Sequence, residues 1–130
     1  MTNRAEVTRW FDGYVAAFVA IGRGDAEVRR FLDYYAVPLV LSIDQGTRHL
    51  IDEEQLLAAM GEQVDGLRAA NFDRSDELAA ETTVLNGTCA IHRGRFARYR
   101  ADGTEITRFD STYLITDSPA GRRISALVIH

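Results

Sequence analysis

Thr82-Thr83-Val84-Leu85-Asn86-Gly87-Thr88-Cys89-Ala90-Ile91-His92 is the stretch whose reading decides the fold. Asn-Gly between β-prone residues is the strongest short hairpin signal, because both central residues of a type I′ turn need positive φ. On either side the apolar residues recur with a period of two from Phe72 to the last residue. Ala101-Asp102-Gly103 suits a three-residue hairpin with glycine in the left-handed position, and Asp117 to Gly121 closes a further pair. Four long strands are expected, over about 71–85, 88–100, 104–116 and 122–130, joined as a meander.

Upstream the period changes. Asn3 can cap a first helix, with Glu6 as its box partner. Val7, Phe11, Tyr14, Phe18 and Ile21 form one helical stripe, with Trp10 and Val15 on its flanks and Gly22 and Gly24 ending it. A short second helix is expected from Asp25, carrying Val28, Phe31 and Leu32. Tyr34 to Leu41 is too short and too β-prone for a helix, and Pro38 makes it an edge strand or one that begins near the proline. A turn at Asp44-Gln45-Gly46 leads into a short strand, Thr47 to Ile51. Asp52 caps a third helix, with Gln55 as box partner and Leu56, Leu57, Met60, Val64 and Leu67 as its stripe. Three helices followed by a meander make an α+β domain with the helices on one face of the sheet.

The 130 residues amount to a single domain, with 46% hydrophobic and 26% charged residues. A net charge of −4 and a pI near 5.3 argue against general nucleic-acid or membrane-surface binding. All 15 basic residues are arginine, so no lysine can form a Schiff base. Cys89 is alone, which removes intrachain disulfides and cysteine clusters, and with no apolar leader a cytoplasmic location is expected. His49, His92 and His130 lie on separate elements without ligand spacing, so no metal site and no cofactor are expected.

The order helix, short helix, strand, helix, long meander resembles the NTF2-like superfamily, in particular its SnoaL-like members. Tyr14-Val15-Ala16-Ala17 followed by Gly24-Asp25 is similar to the first helix and turn of ketosteroid isomerases. Arg98-Tyr99-Arg100-Ala101-Asp102-Gly103-Thr104 and Gly121-Arg122-Arg123-Ile124 resemble strand text of SnoaL-like bacterial proteins. The resemblance implies an NTF2-like cone, a cystatin-like α+β arrangement of three N-terminal helices on a curved antiparallel sheet. It also implies an apolar pocket and a homodimer.

By the same resemblance Tyr14 would donate a hydrogen bond to a ligand oxygen, and Asp110, close before an aromatic residue, would be the second acid. The matching catalytic base is missing, since Val37 to Ser42 contains no acid. Strand pairing adds a test. With Asn86-Gly87 as the loop, Val84 faces Cys89 and Thr82 faces Ile91; with Ala101-Asp102-Gly103 as the next, Arg95 faces Phe109 and Arg93 faces Ser111. The apolar set then puts Leu78, Thr82, Cys89, Ile91, Ser111 and Tyr113 inside, with Arg93, and puts His92 and Asp110 outside. A bulge at Gly94 would reverse this locally. The expected lining is Trp10, Tyr14, Phe18, Tyr34, Ser111 and Tyr113, with Arg93 pairing an anionic end. The leading expectation is a binder of a small, mostly apolar molecule and not an enzyme. The alternatives are a cyclase or isomerase using Tyr14 and Asp110 on a carbonyl substrate, and a dimeric interaction module.

Overall fold

The structure, a computed structural model, describes residues 3–130. Helix α1 (Arg4–Arg23) begins where the Asn3 side chain accepts the Glu6 N–H at 2.9 Å. Its stripe of Val7, Phe11, Tyr14, Phe18 and Ile21 is buried throughout. Gly22 does not end the helix but lies within it, under the Phe72 ring, where a Cβ would stand 2.7 Å from ring carbons. Gly24 ends it, at φ 88°, and its N–H donates to the Ala20 and Ile21 carbonyls.

The expected second helix is a 3₁₀ turn, Val28–Asp33, with Phe31 buried. Its start is delayed from Asp25 because the Asp25 and Ala26 N–H groups still donate to the Ala20 carbonyl, completing the end of α1. Strand β1 (Tyr35–Ile43) then forms a hairpin with β2 (Gly46–Leu50). The edge strand of this pair is β2, not β1 as the proline suggested. Ladder pairing of β1 with the next strand is interrupted between Tyr35 and Val40, and Pro38, joined to Val37 by a cis peptide, falls in that gap.

Helix α2 (Glu53–Ala69) starts at Asp52, which accepts the Gln55 N–H at 2.8 Å, while the Gln55 side chain accepts the Ile51 N–H. Leu56, Ala59, Met60, Val64 and Leu67 are buried. Gly61 and Gly66 have open space where a Cβ would go. Gly66→Ala should therefore stabilise the domain by about 0.5–1 kcal/mol, the usual cost of glycine in a helix. Urea unfolding checks this; a lower midpoint would show that this face of α2 is covered.

The meander consists of β3 (Phe72–Asn86), β4 (Cys89–Arg100), β5 (Glu105–Ser118) and β6 (Gly121–Ile129). The sheet has six strands in the order β2-β1-β6-β5-β4-β3, antiparallel except for β1 beside β6. One face carries the helices and the single core, whose centre is Phe11, Ile21, Phe31, Leu39, Leu56, Ile115 and Ile124.

The expected register fails by one residue at both hairpins. Neither Asn86 nor Gly87 takes the positive φ of a type I′ turn. Instead the Asn86 side chain accepts the Thr88 N–H at 2.9 Å, an Asx-type closure that pairs Asn86 with Cys89 and leaves Leu85 as a bulge. Val84 thus faces Ala90, and Thr82 faces His92. The Ala101-Asp102-Gly103 turn forms as read, with Gly103 at φ 86° and paired Arg100 and Thr104. Ile106 then bulges, so Arg95 faces Asp110 and Gly94 faces Ser111. With one extra residue at each end, β4 alone is inverted between two neighbours whose inner faces are largely as expected. Ala90, His92, Gly94 and Phe96 are buried, while Arg93 and Arg95 are exposed. A third bulge, at Leu78, exposes that leucine and pairs Glu77 with Phe96.

Candidate functional site

Tyr14 and Phe18, one helical turn apart on α1, face the sheet across a cavity between α1, α2 and strands β1 and β3–β6. Tyr35 enters from β1, Phe96 and Arg98 from the inverted β4, Phe109 and Tyr113 from β5, and Gln63 and Ser75 complete the polar lining. About 20 Å³ of water-accessible space is open inside, room for about one water molecule. A larger guest requires rim side chains to move.

Three phenols converge at the closed side. The Tyr14 and Tyr35 hydroxyls are 2.5 Å apart, and the Tyr14 ring packs edge-on against both Tyr35 and Tyr113. Burial raises all three above the ordinary tyrosine range, Tyr14 and Tyr35 well above it, with the neighbouring phenols adding to the effect for Tyr14. At neutral pH they are therefore intact O–H donors. They offer hydrogen bonds to an oxygen and no base.

Arg98 lines the same cavity. Its guanidinium lies 4.4 Å from the centre of the Phe109 ring and 4.9 Å from that of Phe18, a cation between two aromatic faces. Desolvation lowers its pKa, opposed by the partial negative character of the Tyr14, Tyr113 and Tyr35 oxygens. The group remains a cation, as a guanidinium does at any physiological pH.

The other expected site residues fall elsewhere. Arg93 and Asp110 point to the outer face, where Asp110 is bound by Arg95 at 2.9 Å and held below the usual carboxylate range by that hydrogen bond. Tyr14 and Asp110 thus lie on opposite sides of the sheet, and cannot act together on one carbonyl. Ser111 is inside and buried, opposite Gly94, but outside the cavity lining. Trp10 and Tyr34 pack against each other with tilted rings, Tyr34 touches Tyr14 edge-on, and both stay outside the lining. Trp10 is rotated one residue away from the buried stripe, which carries its ring towards Tyr34.

The inversion of β4 brings in a histidine that was expected outside. His92 is buried, stacks on Phe11 with ring centres 3.9 Å apart, and donates its Nε2–H to Glu77 at 2.9 Å. Its Nδ1 lies 2.8 Å from the Thr82 hydroxyl, which is 3.3 Å from that of Thr8 on α1. Gly94 leaves room for this arrangement: a Cβ there would stand 2.6 Å from the Phe96 ring and 2.9 Å from the Glu77 carboxylate. Neither His92 nor Glu77 lines the cavity. Among the described residues no three His, Cys, Asp or Glu side chains converge on a metal position.

Tyr35, Phe96, Arg98 and Phe109 were missed. One signal could have found the β4 residues: the alternate set Ala90, His92, Gly94 and Phe96 spares the core two arginines. Comparison with known proteins settles the lineage. The sequence model described as "NTF2-like protein (DUF6841)" matches residues 5–130. The chain belongs to this NTF2-like family. An NTF2-like protein of unknown function from Shewanella oneidensis is 17% identical, with TM-score 0.71 over 96% of each chain. A Nostoc punctiforme protein of unknown function with a cystatin-like fold is 14% identical, with TM-score 0.71 over 99% of this chain and 93% of that one. A putative calcium/calmodulin-dependent protein kinase II association domain from Xanthomonas campestris is 17% identical, with TM-score 0.69 over 98% and 87%. At these identities the likeness is one of fold. No curated protein matches. Among the described residues of this NTF2-like chain no helix is long and apolar enough to cross a membrane.

Proposed function

We propose that this NTF2-like domain binds a small, mostly apolar molecule in the cavity between its helices and its sheet. The observation that carries the reading is the lining itself. Apolar walls from Val15, Phe18, Phe96, Leu127 and Ile129 enclose the hydroxyls of Tyr14, Tyr35 and Tyr113, a few convergent polar groups at the end of an apolar recess. A core of pure packing has little use for three phenols together, because each brings a polar atom that must be desolvated and paired. The phenols donate to an oxygen of the guest, and side chains of the lining move to admit it.

Titration with 3-phenylpropionamide, a neutral one-ring probe, tests this by methyl NMR. The Val15, Leu127 and Ile129 signals are expected to shift together while Ile51 and Val84, exposed and remote, stay fixed. Shifts confined to the outer sheet face, or none at millimolar probe, would remove the reading.

A further inference from the structure

Arg98 is a cation without a counterion. The ion pairs of the described residues use Arg23, Arg29, Arg74, Arg95, Arg108 and Arg122, each with a carboxylate within 4.0 Å, and Arg98 is not among them. Its Nε is out of contact with solvent and has no hydrogen-bond partner. The side chain is far from free: its guanidinium lies over the Phe18 and Phe109 rings, and its carrier strand is paired on both sides, with Ser75 and with Thr107. A half-buried cation held this way, with its Nε–H enclosed and unpaired, calls for an acceptor. The N–H fork of a guanidinium matches a carboxylate.

We infer that the guest of this cavity carries a single carboxylate, seated on Arg98, with its apolar body against the phenols and the aromatic walls. The inference rests on the small-molecule reading above and narrows it to small aromatic or aliphatic monocarboxylic acids. Charge decides between anions. Arg98 is the one cation in the lining, so a monoanion brings the cavity to neutrality, whereas a phosphate dianion would leave a buried negative charge uncompensated. The neutral phenols can add hydrogen bonds to the same oxygen pair without altering that balance. Arg93, the sequence-based choice for this role, faces solvent on the other side of the sheet and takes no part.

The test compares 3-phenylpropionate with 3-phenylpropionamide, equal in shape and different in charge, by calorimetry and by the methyl signals of Val15, Leu127 and Ile129. The wild-type domain should bind the acid roughly 10- to 100-fold more tightly than the amide, the range for a hydrogen bond to a charged partner. Arg98→Met should abolish that preference and bring acid and amide to equal affinity. Arg98→Lys, which keeps the charge and loses the fork, should retain part of the preference. Unfolding midpoints show that each variant is folded. Equal wild-type affinity for acid and amide at the cavity would overturn the carboxylate assignment and leave the pocket standing. An unchanged preference in Arg98→Met would move the anion elsewhere and overturn it too. Inorganic phosphate displacing the acid at equal concentration would replace the carboxylate by a bare oxyanion site. Binding of neither probe would remove both the assignment and the pocket reading.

Discussion

Phe11→Ala should lower the stability of the domain by about 3–5 kcal/mol, the range for deleting a fully buried aromatic ring. Phe11 has no exposed surface, and its ring touches those of Tyr14, His92, Phe96 and Tyr113, so four side chains from α1, β4 and β5 would face the void. None of them can collapse into it easily, because Tyr14 is tied to Tyr35 and His92 is held at both nitrogens. Urea unfolding reads the loss directly, and Phe11→Leu should recover much of it by refilling volume. A cost near 1 kcal/mol would show that the core relaxes around this position.

Removing His92 should cost less, and for a different reason. His92→Leu keeps the volume and the contact with Phe11, but strands the Glu77 carboxylate and the Thr82 hydroxyl, at a cost of about 1–3 kcal/mol. The carboxylate is partly exposed, its side chain at 20% relative accessibility, so the value belongs in the lower half of that range. The double variant His92→Leu, Glu77→Leu should be more stable than His92→Leu alone, because replacing both partners removes the orphaned charge. Additive losses in unfolding experiments would show that the pair is not coupled.

How much of this was legible in the sequence follows from where the information lies. The two caps, at Asn3 and Asp52, and the stripes of α1 and α2 depend on neighbours three or four residues apart, and they stand as read except that Ala59 is buried where Leu57 was expected and Leu57 is half-buried. The four meander strands stand too. The parallel pairing of β1 with β6 joins residues some ninety positions apart, such as Val40 and Ala126, and leaves no mark on either segment. The site suffered most from the bulges. Inner and outer residues of a strand differ only by parity, so a single unforeseen residue at Leu85 and another at Ile106 replaced Arg93 by Arg98 and Ile91 by His92 on the inner face. Ser111 and Tyr113 stayed inside because β5 lies beyond the second shift, where the two errors cancel.

The same two bulges have a consequence for how this protein could change. They bracket β4 from opposite ends, yet deleting Leu85 and Ile106 together would leave every pair between them unchanged: Val84 and Asn86 already face Ala90 and Cys89, and Glu105 and Thr107 already face Tyr99 and Arg98. The row Ala90, His92, Gly94, Phe96 and Arg98 would keep its inward direction through such a change. The wall that β4 gives the cavity is thus insulated from the loss of either extra residue, and only a shift of the whole strand by one position would turn it over.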